Sequence, residues 1–348
     1  MNVVERARRW IAQDPDPDTR RELEALIAAD DHAALEARFS GGLKFGTAGL
    51  RGLLGAGPAR MNRVTVSRAT AGFCAWLKKR VPEAASRGIC IGRDARDKSD
   101  VFARDVIEIA TGAGLQVHGF NAVVPTPVLA FSVLEVGAAG GVMVTASHNP
   151  PGYNGYKVYW ENGAQIIPPN DVGIASEIDD APPADRILRM SSEDARRSGM
   201  LHEIDSLRDD YVTQVISELN LTTERAPVRV AYTPLHGVAE RTFRDAATRA
   251  GFEDVTSVEE HSAPYCAFPT VAFPYREEPR AMVLVLSLAD RINADIAVAN
   301  DPDGDRVGIA ARRDGAFEVL SGNDIGALLT EELLRRRRDA PRPVALST

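Results

Sequence analysis

Gly141-Val142-Met143-Val144-Thr145-Ala146-Ser147-His148-Asn149-Pro150-Pro151 reads as a short buried strand that stops abruptly in small and polar residues. That ending predicts Ser147 at a strand end with its hydroxyl held outward. Serine is a weak nucleophile alone and needs a base, a metal or a nearby cation to act. The groups best suited to converge on it lie far downstream, in Asn300-Asp301-Pro302-Asp303-Gly304-Asp305-Arg306.

Working outward from Ser147, helices and strands alternate. Residues 62–81 are helical by pattern, 88–92 form a buried strand, 99–113 a helix and 115–120 a strand, and Pro125-Thr126-Pro127 opens another helix. This spacing predicts stacked βαβ units and a mostly parallel or mixed sheet, whose ligands bind at strand ends. The Ser147 turn falls there, and so does Gly92-Arg93-Asp94-Ala95-Arg96, in which Arg93 either faces a ligand or pairs with Asp94. After the serine, Gly152-Tyr153-Asn154-Gly155 turns hairpin-like into a strand through Trp160 that carries Lys157. A strand lysine is usually a solvated edge charge, but this one sits just past a tight turn and can return to the serine.

Before this domain, residues 1–40 read as an N-terminal extension of two or three helices ending at Gly41-Gly42. Next, in Lys44-Phe45-Gly46-Thr47-Ala48-Gly49-Leu50-Arg51-Gly52, glycines allow close backbone approach to a ligand, and Arg51 either meets a phosphate or faces solvent. Residues 178–206 look like a connector. A second alternation then begins: a helix over 209–219, strands at 228–232 and near Val255, a helix between them ending at Gly251, an irregular stretch over 263–274, a helix over 280–292, and a strand over 295–299 that delivers Asp301. This is a second α/β domain. His236, on a loop after a strand, reads as a hydrogen-bonded structural histidine. A helix over 322–338 ends in arginines, where the helix dipole favours cations, and 344–346 starts a further strand.

The totals bound the function. At 348 residues, two or more domains are expected. A formal charge of -8, from 49 acidic and 41 basic residues, argues against non-specific nucleic-acid binding and leaves room for a local phosphate pocket. The cysteines Cys74, Cys90 and Cys266 are an odd count without metal-ligand spacing, and no apolar signal core follows the N-terminus, so a reduced, cytoplasmic protein is expected. No apolar run approaches the roughly 20 residues of a membrane span, which excludes membrane insertion through a helix.

In the acidic stretch, three carboxylates alternate with Pro302 and Gly304, so in an extended turn they can face one point. Hard oxygen ligands on a short rigid loop suit Mg²⁺, which keeps positions open for water or phosphate oxygen. A calcium loop fails, because it needs glycine where Arg306 stands and glutamate where Arg312 stands. An aspartyl-phosphate phosphatase with Asp301 as nucleophile and Asp303 as acid is a second alternative, and it leaves Ser147 and its flanks unexplained. Carboxylates this close repel one another unless a cation neutralises them.

Together these stretches resemble the α-D-phosphohexomutases, the phosphoglucomutase and phosphomannomutase superfamily, over residues 41–348. Residues 145–150 look like the family's phosphoserine loop and 301–306 its metal loop; residues 45–52, 92–96 and 154–157 match lesser motifs in the same order. The extension and the wording at 165–168 and 233–237 are most similar to the branch with phosphoglucomutase- and phosphopentomutase-type enzymes. The resemblance implies tandem mixed-sheet α/β/α domains: 41–205 with the phosphoserine, 206–321 with the metal loop, and 322–348 starting a third. It further implies that Ser147 carries a phosphoryl group completing the Mg²⁺ coordination of Asp301, Asp303 and Asp305, and that Arg51 and Arg306 steady phosphate charge. Lys157, helped by His148, would move the proton of the attacking sugar hydroxyl, with Arg93, Thr145 and Asn149 near the phosphate.

The implied reaction converts hexose 1-phosphate to hexose 6-phosphate, glucose first and mannose second, through a hexose 1,6-bisphosphate; pentose phosphates are the alternative. The family's sugar-recognition loop and its Arg-x-Ser-Gly-Thr phosphate clamp have no counterpart here. The expectation is therefore a chain truncated at its C-terminus, either a fragment or a remnant that binds metal and is phosphorylated on Ser147 without completing a cycle. Nothing in the sequence fixes an oligomeric state.

Overall fold

The computed structural model describes residues 1–219, 227–271 and 279–336, and its contacts divide the chain into two compact units, Met1–Leu207 and Arg208–Thr348. The first opens with three helices, α1 (Val3–Gln13), α2 (Pro17–Ala28) and α3 (His32–Phe39). Each has a side chain accepting from a first-turn N–H: Asn2 in a capping box with Glu5, then Asp16 and Asp31. Val3, Ala7, Leu23, Leu35 and Phe39 pack together with Ala56, so the helices have a small core of their own. Lys98 also ties them down, through Asp16 (3.3 Å) and Asp18 (2.9 Å).

The rest of this unit runs β1 (Leu50–Leu53), α4 (Arg63–Arg80), α5 (Ala84–Arg87), β2 (Ile89–Arg93), α6 (Ser99–Gly112), β3 (Val117–Gly119), α7 (Thr126–Glu135), β4 (Gly140–Val144), β5 (Tyr153–Trp160), α8 (Asn170–Asp180), α9 (Ser192–Arg197) and β6 (Leu201–Glu203). The sheet order is β1-β5-β4-β2-β3-β6, with β2, β3, β4 and β6 parallel and β5 antiparallel to both its neighbours. The mixed α/β sheet expected from the alternation is thus present. Strand β4 is buried along its whole length, as its apolar run predicts.

Three features refine the reading from sequence. The glycine-punctuated run around Arg51 contains a strand, β1, because antiparallel pairing with β5, Leu50 opposite Tyr156, satisfies its backbone from far along the chain. The connector at 178–206 holds α9 and an edge strand, β6, paired parallel to β3. Strand β5 is interior and Lys157 is 2 % exposed, so it is not the solvated edge charge that strand lysines usually are.

The second unit contains α10 (Leu207–Leu219, whose first residue belongs to unit one), β7 (Val230–Thr233), α11 (Glu240–Arg249), β8 (Val255–Ser257), α12 (Glu259–Ser262), α13 (Pro279–Arg291), β9 (Ile296–Asn300), β10 (Val307–Arg313), β11 (Ala316–Val319) and α14 (Gly322–Arg336). Its sheet order is β11-β10-β9-β7-β8, parallel across β9-β7-β8 and antiparallel across β11-β10-β9. The hairpin β10–β11, unread in the sequence, turns at Asp314-Gly315, both with positive φ. That dipeptide is a strong short-range hairpin signal. The strand expected at 344–346, Arg337, Arg338 and part of the irregular 263–274 stretch lie outside the described residues. Among the described residues, no helix is long and apolar enough to cross a membrane.

Candidate active site

In the first unit the serine loop leaves the C-terminal end of β4. Ser147 is buried, contrary to the outward hydroxyl expected, and its Oγ lies 3.4 Å from His148 Nδ1. Its φ is +52°, the left-handed region, which costs a non-glycine residue on the order of 1–2 kcal/mol. Such a conformation persists only when neighbours hold it. Here Ser147 N–H donates to Thr145 Oγ1 (2.9 Å), Thr145 Oγ1 donates to Asp94 (2.6 Å), and the Arg96 guanidinium donates to the carbonyls of Ser147 (2.7 Å) and Asn149 (2.6 Å).

Arg51 stands on β1 directly opposite Gly155 of β5, and Lys157 is two residues farther along β5, opposite Met143. Side chains alternate across a strand, so Arg51 and Lys157 share one face of the sheet. Gly155 is required at this crossing: a Cβ there would sit 2.4 Å from the Thr145 carbonyl oxygen and 2.8 Å from that of Leu50. Its lack of a side chain lets β1 and the start of the serine loop close on β5. Arg51 Nε is buried and has no hydrogen-bond partner among the described residues. An orphaned guanidinium N–H is costly unless a ligand accepts from it, and a phosphate oxygen suits it.

Arg93 ends β2 opposite Val144 and donates to the Asn121 carbonyl (3.1 Å). Asp94 pairs with Arg96 (3.4 Å) rather than with Arg93. Burial pushes the Asp94 carboxyl above its ordinary range, against the opposing pull of Arg96 and of three hydrogen bonds. Neither Asp94 nor Arg96 stood out individually in the sequence; their signal was position, on the turn after a buried strand beside the serine strand.

In the second unit the acidic loop leaves the C-terminal end of β9. Asp301, Asp303 and Asp305 each present an oxygen, all within 4.8 Å of one another, with Asp301 and Asp303 buried and Asp305 exposed. The loop folds on its own backbone: Arg306 N–H donates to Asp301 Oδ1 (3.0 Å) and Gly304 N–H to the Asp301 carbonyl (2.9 Å). Asn300 Nδ2 closes its base by donating to the Arg306 carbonyl (2.7 Å), while Asn300 Oδ1 accepts from Tyr232 (2.8 Å). Burial raises the Tyr232 phenol well above its usual value, so it remains a neutral donor. Arg306 Nε is 3.8 Å from Asp305.

The neighbouring 233–238 turn supports this loop. Val238 N–H donates to the Pro302 carbonyl (2.9 Å), and a Cβ on Gly237 would sit 2.4 Å from Pro302 Cα, so only glycine permits the approach. His236 is a hydrogen-bonded histidine, as its loop position suggested: its Nε2 meets Thr270 Oγ1 (2.8 Å), which also meets His261 Nε2 (2.7 Å), and His261 Nδ1 meets Thr233 Oγ1 (2.7 Å). Burial lowers both imidazoles, His261 to about 4. Three hard carboxylate oxygens on one short loop fit a small divalent cation such as Mg²⁺.

Two sequence models of one family match this chain: phosphoglucomutase/phosphomannomutase alpha/beta/alpha domain I over residues 42–184 and domain II over 209–315. The chain belongs to the phosphoglucomutase/phosphomannomutase family. It is 36 % identical over 332 residues to the phosphopentomutase of Mus musculus, covering 92 % of this chain and 53 % of that protein. Identity to the phosphoglucomutase of Staphylococcus epidermidis is 33 % over 301 residues, covering 86 % of this chain and 54 % of that one. Its fold matches the crystal structure of a phosphoglucomutase/phosphomannomutase family protein from Burkholderia thailandensis with a TM-score of 0.65 at 23 % identity, over 84 % of this chain and 58 % of that one. The chain spans about half the length of the curated relatives it matches.

Proposed function

We propose that this chain works as a phosphosugar mutase of the phosphoserine type. The observation that carries the reading is the fixed left-handed Ser147, with its Oγ beside His148 Nδ1 at the end of β4, on the sheet that also bears Arg51 and Lys157. In the proposed step, a sugar hydroxyl oxygen forms a bond to phosphorus as the Ser147 Oγ–P bond breaks, giving a sugar bisphosphate. The hydroxyl proton passes to Lys157, with His148 assisting. Return of the other phosphoryl group to Ser147 by the reverse exchange releases the isomer. Arg51 and Arg306 neutralise phosphate charge, and Arg93, Thr145 and Asn149 line the loop. Asp301, Asp303 and Asp305 would hold Mg²⁺. Such an ion supplies charge stabilisation to phosphoryl oxygens.

The 36 % identity to a phosphopentomutase puts pentose 1-phosphate and 5-phosphate first as substrates. The family description and the phosphoglucomutase relative support hexose phosphates, glucose before mannose, as the second reading. In the same reading, residues 41–205 form the serine-bearing domain, 206–321 the metal-bearing one, and 322–348 open a third.

A coupled assay tests this, using ribose 1-phosphate and glucose 1-phosphate separately, with Mg²⁺ and a catalytic amount of the matching bisphosphate. Turnover that Ser147→Ala removes supports the mutase, and the faster sugar names the substrate. A wild-type rate matched by Ser147→Ala would overturn the assignment.

A further inference from the structure

The two peptide groups that flank Ser147 are both held by one buried ion pair. On the amide side, Ser147 N–H reaches Asp94 through the Thr145 hydroxyl (2.9 and 2.6 Å). On the carbonyl side, Arg96 donates to Ser147 O (2.7 Å), and the same guanidinium also binds the carbonyls of Asn149 (2.6 Å), Pro150 (3.0 Å) and Tyr153 (3.1 Å). Asp94 and Arg96 are 1 % and 5 % exposed, and Asp94 is fixed in turn by the Ser99 hydroxyl (2.7 Å) and by Arg96 N–H (3.0 Å). A neutral core residue could fill this space, yet the chain buries two charges there. A buried pair seldom adds net stability over an apolar replacement, so its placement calls for another explanation. A planar guanidinium can bind several carbonyls of one turn at once, which a lysine ammonium on its flexible stem cannot reproduce.

We propose that Asp94 and Arg96 are positioning residues for Ser147, holding it in the left-handed conformation that aims its hydroxyl; this rests on the reading of Ser147 as the phosphoryl carrier. They act through the serine's two peptide groups.

The test uses the full chain as wild type, Arg96→Lys and Thr145→Val. Single-turnover uptake of the phosphoryl group from glucose 1,6-bisphosphate with Mg²⁺ is followed by intact mass, and amide hydrogen exchange is measured over residues 145–153. For both variants the saturated uptake rate is expected to fall at least about tenfold, since small misplacement of a reacting group is costly. In Arg96→Lys the half-saturating bisphosphate concentration stays within about twofold, because that substitution removes no contact to the donor. Exchange over 145–153 speeds up in both variants and not in Ser147→Ala. Wild-type uptake rates in folded variants would overturn the proposal, and so would unfolding of both variants, which would assign the pair to the fold. If wild type itself takes up no phosphoryl group, the reading of Ser147 fails separately, and exchange over 145–153 left unchanged in both variants then overturns the brace.

Discussion

The serine loop and the acidic loop are built alike and held differently. Each leaves the C-terminal end of an interior strand, β4 or β9, and each buries polar residues there. The serine loop is clamped by a charged pair whose charges are consumed within the fold, Asp94 against Arg96. Neutral groups support the acidic loop from outside: Tyr232 through Asn300, and the Gly237 turn against Pro302. Its own three carboxylates converge on one point. One loop is fixed by a buried pair of opposite charges; the other gathers three carboxylates, with Arg306 beside Asp305 and neutral groups bracing its base.

The sharpest way to break this contrast is to remove charge from the second loop. Asp303→Asn should weaken Mn²⁺ or Mg²⁺ binding, read by calorimetry, by at least about tenfold, and should leave exchange over 145–153 as in wild type. Tight metal binding by the variant would place the ion elsewhere. Next comes Gly237→Ala. The added methyl must displace Pro302, so a loss of about 1–3 kcal/mol in unfolding free energy is expected, together with weaker metal binding. An alanine tolerated without cost would mean that the 233–238 turn does not support the loop.

Acid should separate the two regions as well. His261 is lowered from 6.5 to about 4, chiefly by burial. Above pH 6.5 the imidazole is neutral whether folded or not. As pH falls, the unfolded chain binds the proton first, so stability drains between about pH 6.5 and 4 and the loss is complete below the folded value. Thermal melts of wild type across that window should show the decline, and His261→Gln should flatten it. An equal decline in the variant would locate the sensitivity in another group. The smallest expected effect is Tyr232→Phe. It removes one buried hydrogen bond to Asn300 and should cost about 1 kcal/mol by denaturant titration.

Much of the site was legible because its chemistry is local in sequence. The buried run ending in Thr145-Ala146-Ser147 and the Asp301-Pro302-Asp303-Gly304-Asp305 alternation each mark a strand end within a few residues, and the second brings its carboxylates together. What was missed depends on pairing between distant segments. Strand β1 becomes a strand only because Leu50 meets Tyr156, and β6 only because Leu201 meets Val117. Arg96 looked like one more turn arginine, since the four carbonyls it binds lie more than fifty residues later. The hairpin at Asp314-Gly315 differs from these; its signal was local and went unread behind the acidic loop.

The most direct test of the central claim is to map the phosphorylated residue by peptide mass spectrometry after incubating the chain with Mg²⁺ and ribose 1,5-bisphosphate or glucose 1,6-bisphosphate. Phosphate on Ser147 that survives acid, and is lost in Ser147→Ala, is the predicted result. Phosphate on Asp301 instead, labile to alkali, or uptake undiminished in Ser147→Ala, would contradict it and revive the aspartyl-phosphate alternative.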